Sequence, residues 1–285
     1  MAGTAGGRPE RESEALRASV TRPTGTDSER MTAGKLGGIA YGAAHWPAEE
    51  DRPTLVFLHG SGGSRVLWQG QVGALEAVAN TVALDLPGHG ESGVRGCDSV
   101  AEYAARVMEW IRSAGLPRPV PCGLSLGGAI ALQLLLDHGR DLHAGILVGT
   151  GARLRVKPTI FDSIRKDYHD FVAALPELAA SPAADLARLQ PLLAATLQTS
   201  AMVTAGDFRA CDSFDVMSRL GEIDLPVLVV TAEEDQLTPP KYGDYLEANI
   251  RGARRVHLQH AGHLAPLERP AAFNDAVRGF LSTLE

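Results

Sequence analysis

The stretch 121-PCGLSLGGAIAL-132 decides how this chain is read. An apolar run over 119–124 leads into Ser125, which stands between Gly123 and Gly127, and an apolar, helix-like segment follows. A strand that passes through a glycine-flanked serine into a helix makes a sharp turn and lifts the hydroxyl above the end of the sheet. Two backbones must pass closely there, so small residues are needed. Gly123, Gly127, Gly128 and Ala129 supply them. The following helix also points the positive end of its dipole at the serine. The alternative is an ordinary Gly/Ser turn, and the rest of the chain has to decide.

Working outward, the same rhythm recurs. TLVFLHG (54–60), TVALDLPGHG (81–90), AGILVGT (144–150) and LPVLVVTA (225–232) are short apolar runs with Gly or Pro near their exits, and RRVHLQ (254–259) is a further strand-like run. Their length and β-branched content favour buried parallel strands. Helices fit between them. Val100, Tyr103, Ala104, Val107, Met108 and Ile111 form one helical stripe, with Asp98 or Ser99 to cap it and Gly115 to end it. Pro270 opens another stripe through Phe273, Val277 and Phe280. This alternation predicts an α/β fold, a mostly parallel sheet with helices on both faces.

The alternation fails between about 152 and 220, where helical patterns occur without a strand. Phe161, Ile164, Tyr168, Phe171 and Leu175 form one stripe, and PAADLARL and PLLAATLQ form two more, divided by Pro191. An all-helical block between two strands reads as an inserted cap over 152–220. The core is then 34–151 and 221–285, and residues 1–33, poor in large apolar side chains, read as a mobile tail. Met31 offers a second start.

A serine nucleophile needs a base, and the base needs an orienting acid. In a strand–serine–helix arrangement the acid and then the histidine follow the serine along the chain. Asp235 lies just past a strand in VTAEEDQLTPP, beside Glu233 and Glu234. His263 lies in HAGHL, after a glycine that lets the loop bend, with His260 the weaker candidate. An oxyanion formed at Ser125 would need N–H donors. The backbone N–H of Leu126 is one. LHGSGGS (58–64) supplies the second, assigned to Ser61 with Gly60 and Gly62 as rivals. That loop lacks the Gly-Lys-Ser/Thr ending of a phosphate loop and the glycine spacing of a dinucleotide site.

Composition narrows the partners. The 285 residues carry 27 Lys and Arg against 34 Asp and Glu, a net charge of −7, so a nucleic-acid partner is not expected. No apolar run approaches the ~18 residues that span a bilayer. Cys97, Cys122 and Cys211 are too few and too scattered for a disulfide framework, which points to a reducing compartment, the cytoplasm. Cys122 reads as a packing thiol. His143, His169, Arg155 and Arg165 read as surface residues, with a substrate carboxylate as their alternative partner. A homo-oligomer is left open.

LVFLHGSGGS, ALDLPGHGES, GLSLGGAIAL, VTAEEDQLTPP and AGHLAPLERP occur in this order. Together they resemble the α/β-hydrolase-fold serine hydrolases, carboxylesterase-like and with a helical cap. The resemblance implies a structural turn over Asp85–Ser92, with His89 not catalytic. Haloalkane dehalogenases and epoxide hydrolases of this fold use aspartate where Ser125 stands. Carbon–carbon hydrolases typically have Asn before the serine and Trp after the histidine, where this chain has Leu124 and Leu264. The expectation is a serine hydrolase cleaving an ester, lactone or thioester of an uncharged small molecule, without metal or organic cofactor. Apolar cap positions such as Phe161, Leu193 and Met202 are expected to set acyl preference. Perhydrolase or carbon–carbon hydrolase activity on the same residues, or a slow-turnover ligand sensor, are the alternatives.

Overall fold

The computed structural model describes residues 32–284. Eight strands form one sheet: β1 (Thr32–Leu36), β2 (Ile39–Ala43), β3 (Thr54–Leu58), β4 (Asn80–Leu84), β5 (Pro119–Leu124), β6 (Gly145–Val148), β7 (Val227–Ala232) and β8 (Arg254–Leu258). Their spatial order is β1-β2-β4-β3-β5-β6-β7-β8. The β1–β2 and β2–β4 pairings are antiparallel and all others are parallel. Thr32 and Ala33, assigned from sequence to the tail, therefore belong to the first strand, paired with Ala43 and Gly42. The remainder of the expected tail lies outside the described residues.

Helices α1 (Gln69–Ala74), α2 (Val100–Ala114) and α3 (Leu126–His138) precede the cap. Helices α9 (Lys241–Asn249), α10 (Ala265–Glu268) and α11 (Pro270–Leu281) follow it. Alternation along β3 divides the core. Val56 and Leu58 face one side, with residues of α2 and α3; Leu55 and Phe57 face the other, with Trp68, Phe273 and Val277. Helix α2 begins and ends where its sequence indicates. The Ser99 hydroxyl accepts the Glu102 amide, and Gly115 closes the helix at φ 61°.

Five cap helices lie between β6 and β7: α4 (Pro158–Lys166), α5 (Tyr168–Ala173), α6 (Leu175–Ala179), α7 (Leu186–Gln198) and α8 (Ala201–Ser213). The single stripe expected over 161–175 is broken because Asp167 leaves the helical conformation and caps α5, accepting the Asp170 amide. Pro191, expected to divide two helices, lies inside α7. It forfeits one backbone bond, and burial of Leu189, Leu192 and Thr196 holds the helix through it. Ile164, Phe171 and Val172 give the cap a small core of its own. Among the described residues no helix is long and apolar enough to cross a membrane.

Candidate active site

The parallel strands deliver the candidate residues to one edge of the sheet. Gly60–Gly62 follow β3, Ser125 follows β5, Asp235 follows β7 and His263 follows β8. In open α/β sheets the carboxyl ends of the strands are where ligands bind.

Ser125 sits at φ 58°, ψ −114°, a backbone conformation L-residues rarely adopt. Its amide donates to Val148 O at 3.0 Å, and its carbonyl accepts the Thr150 hydroxyl at 2.9 Å. The turn is as tight as the glycines imply. A Cβ on Gly123 would land on the carbonyl of Gly127, and one on Gly127 would land on the carbonyl of Leu58. Leu126 opens α3, so its N–H has no intrahelical acceptor and stands beside Ser125.

The three adjacent acids separate cleanly. Glu233 accepts the His260 amide at 2.9 Å, and Glu234 accepts the Ser181 hydroxyl of the cap at 2.6 Å. Asp235 Oδ2 lies 2.8 Å from His263 Nδ1. Asp235 Oδ1 accepts the amides of Leu237 and Thr238 at 2.9 and 2.8 Å, and the Thr238 hydroxyl donates to Oδ2 at 2.7 Å. Burial alone would raise the Asp235 pKa; the neighbouring His263 and these donors outweigh it and hold the carboxyl below its ordinary value. With Nδ1 facing a carboxylate, the neutral ring carries its proton there and leaves Nε2 as the acceptor. The His260 side chain is 70 % exposed and has no part in this arrangement.

In the loop after β3, Gly62 N donates to Asp207 Oδ2 at 2.8 Å and Gly63 N to Gly60 O at 3.1 Å. Gly62 is thus committed elsewhere, while Gly60 packs directly on Ser125, with 3.4 Å from a built Cβ to the serine Cβ. Asp85 braces the chain just past that loop. It accepts the Arg65 amide and the Glu91 amide at 2.8 and 2.9 Å and pairs with the Arg65 guanidinium. The Asp85–Ser92 segment is therefore a structural turn. His89 within it faces Asp207, not Ser125.

Two residues escaped the sequence reading. Glu268 Oε2 accepts the amides of both Ser181 and Gly262, at 2.8 and 2.9 Å, and so ties the cap to the loop carrying His263. Asp207, in the cap, is 0 % exposed. Its position in a mixed polar helix gave no signal. Cys122 is fully buried and its thiol pKa is pushed up by that burial, as befits a packing residue. Met202 is 77 % exposed, so it is no pocket residue. Leu193 does line a cavity of about 870 Å³ among the cap helices, together with Val172, Leu197 and, from the core, Gln236, the neighbour of Asp235.

The fold and this edge of the sheet define an α/β hydrolase. The chain belongs to the alpha/beta hydrolase family, whose model matches residues 55–276, and it is an enzyme of the carboxylic ester hydrolase class. It is 30 % identical over 240 residues to the pimeloyl-[acyl-carrier protein] methyl ester esterase of Neisseria meningitidis, covering 79 % of this chain and 91 % of that one. Among solved structures it resembles a thermophilic esterase (31 % identity, TM-score 0.74, covering 89 % of this chain and 98 % of that one). It also resembles the enol-lactonase of Burkholderia xenovorans LB400 (25 % identity, TM-score 0.78, covering 88 % and 99 %).

Proposed function

We propose that the enzyme cleaves a carboxylic ester or lactone of a small, uncharged molecule through an acyl-Ser125 intermediate. Ser125 Oγ attacks the acyl carbonyl and gives its proton to His263 Nε2. The tetrahedral oxyanion is held by the backbone N–H groups of Ser61 and Leu126. Collapse expels the alcohol, which takes the proton from His263. Water then attacks the acyl-serine, with His263 again accepting and returning a proton, and the acid leaves. Asp235 orients the ring and stabilises its charged form. A methyl ester esterase and an enol-lactonase, the activities named for two relatives, both break an acyl–oxygen bond.

The observation that carries this reading is the pairing of a strained, glycine-packed Ser125 with a buried Asp235–His263 bond of 2.8 Å at the same end of the sheet. Commitment of the Gly62 amide to Asp207 favours Ser61 over Gly62 as the second donor. The test is a fluorophosphonate probe and a panel of p-nitrophenyl esters. The probe should label Ser125. Ser125→Ala should lose labelling and on the order of 10⁴ to 10⁶ in kcat with the fold retained. Labelling that persists in Ser125→Ala refutes the assignment.

A further inference from the structure

Along α8, Thr204, Asp207 and Cys211 are spaced three and four apart, so they share one face of the helix, and all three are buried. That face lies on the Gly60–Gly62 loop. A Cβ at Gly62 would meet the Thr204 side chain at 3.0 Å, and Cys211 Sγ lies 3.8 Å from Ser61 Oγ. Tyr168 of α5 supports Thr204 from behind, their hydroxyls 2.8 Å apart. Asp207 makes the decisive contacts. Its Oδ2 accepts the Gly62 amide and faces His89 Nε2, both at 2.8 Å, and its Oδ1 accepts the Tyr103 hydroxyl at 2.6 Å.

A buried carboxylate is unfavourable unless paired and hydrogen-bonded. His89 and Tyr103 already provide a charge partner and a donor; the bond to Gly62 reaches past them to the loop. That loop cannot hold its own shape by steric restriction, because Gly60, Gly62 and Gly63 flank Ser61 and leave its backbone torsions loosely limited. Peptide groups are planar, so fixing one atom of each fixes the whole plane. The plane that carries the Ser61 N–H also carries Gly60 O, which is held by His59 Nδ1 at 2.8 Å and by the Gly63 amide at 3.1 Å. The next plane carries the Gly62 N–H and is held by Asp207.

We propose that Asp207 of the cap is a positioning residue for the oxyanion loop: it fixes the peptide plane next to the Ser61 amide, so that α8 helps to aim the donor that meets the tetrahedral oxyanion. The proposal rests on the reading of Ser125 and Ser61 given above. An acceptor fixed at Gly62 should matter most when charge develops on the substrate oxygen, so kcat should suffer and KM should not.

The experiment measures kcat and KM for p-nitrophenyl acetate and the affinity of a short alkyl boronic acid, which forms a tetrahedral adduct on a nucleophilic serine. Circular dichroism and melting temperature accompany each variant. Asp207→Ala should lose about 10- to 100-fold in kcat and in boronate affinity, less than the ~10²–10³ that outright loss of an oxyanion donor costs, with KM changed less than about threefold. Asp207→Asn keeps an acceptor but not the charge, and charge-assisted bonds are about twice as strong as neutral ones, so its losses should be smaller, about fivefold. Asn80→Ala, at the opposite end of the sheet, removes the part-buried bonds to Glu49 and serves as a destabilised control with kcat and boronate affinity unchanged. Folded Asp207→Ala with wild-type kcat and boronate affinity overturns the proposal. So does a control that loses as much kcat as Asp207→Ala. If Asp207→Ala does not fold, Asp207→Asn decides: wild-type values for both quantities overturn the proposal. Failure of the underlying reading is separately visible, since wild-type enzyme would then not be labelled at Ser125 by the fluorophosphonate, and both would fall.

Discussion

Thr238 donates its hydroxyl to the same carboxylate oxygen of Asp235 that faces His263, at 2.7 Å, and lies 3.2 Å from the ring nitrogen itself. Thr238 thereby helps fix where Asp235 points. Replacing it with valine keeps the shape and removes a bond to a charged group, worth about 1.5–3 kcal/mol. Part of that should appear in turnover. Thr238→Val is expected to lower kcat/KM for p-nitrophenyl acetate by about tenfold, a loss of ~1.4 kcal/mol in transition-state stabilisation. Thr238→Ser should stay near wild type, and a loss in Thr238→Ser with Thr238→Val unaffected would show that the methyl group, not the hydroxyl, is what matters.

His260 and His263 lie three residues apart and have opposite surroundings. His263 is buried against Asp235, and His260 is exposed beside Glu233. Removal of a general base paired with an acid costs on the order of 10³–10⁴ or more in kcat/KM. His263→Ala should show that loss, and His260→Ala should remain within about threefold of wild type. Steady-state assays of the two variants settle it, and the reverse pattern would move the base to His260.

Glycines with different surroundings give a stability prediction. A methyl at Gly123 would collide with the backbone of Gly127, which cannot step aside without moving Ser125. Gly115 sits at φ 61° with nothing within 4 Å of a built Cβ. Gly115→Ala should cost only the left-handed backbone penalty, roughly 1–2 kcal/mol. Gly123→Ala should cost more than about 4 kcal/mol or prevent folding. Urea unfolding of both tests the difference.

The histidine pair His59 and His89, ring centres 4.7 Å apart, makes stability depend on pH in two directions. His59 is neutral: Nε2 accepts the Leu86 amide at 3.0 Å, and Nδ1 donates to Gly60 O. Burial, and then the charge of His89, lower its pKa to about 3. The unfolded chain titrates near ~6.5, so between about 6.5 and about 3 it binds a proton that the folded chain refuses. Stability from His59 is complete above that window and falls with pH through it, by up to ~1.4 kcal/mol per pH unit. His89 faces carboxylate and carbonyl on its two nitrogens. Burial lowers its pKa, but the charge of Asp207 outweighs this and raises it. Its contribution is complete below ~6.5 and is lost as pH rises through the folded value. In urea unfolding from about pH 4 to about pH 6, His59→Gln should flatten the slope by roughly 1 kcal/mol per unit. An unchanged slope would mean that His59 is not the group refusing the proton.

Leu193 lines the cavity among the cap helices that Gln236 closes, and Met202 faces solvent. One methylene in an apolar pocket changes selectivity by about 1–3 kcal/mol. Leu193→Ala should shift kcat/KM toward octanoate over acetate esters, and Met202→Ala should leave the ratio alone. Identical ratios in wild type and Leu193→Ala would detach this cavity from the acyl group.

What the sequence disclosed depended on how local each signal was. Parallel strands appeared as apolar runs, and α2 was bounded by its own Ser99 and Gly115. The β1–β2 hairpin was missed because TAGKL and IAYGA are short and more than half Gly, Ala and Thr; only Gly37–Gly38, a two-residue turn, announced it. Pro191 misled because tertiary burial of its neighbours outweighed one missing bond. Ser125, Asp235 and His263 each sit just past a strand end and could be proposed from order alone. Asp207 could not, since its partners Tyr103 and Gly62 are 104 and 145 residues away.

The buried contacts of Asp207 also govern how freely the cap can be exchanged. The helical segment leaves the sheet after β6 and returns before β7, so it has the outline of a module that could be swapped for a relative's to redirect specificity. Yet a transplanted cap without a carboxylate at this place would strand His89, whose two ring nitrogens both face acceptors here, and would leave the Tyr103 hydroxyl and the Gly62 amide without their acceptor. A chimaera of this enzyme must therefore carry the aspartate across with the donor helix or replace His89 and Tyr103 in the recipient with a matched apolar pair. The seam for recombination runs through the side chains that meet at Asp207, not only at the two chain crossings where the segment departs and returns.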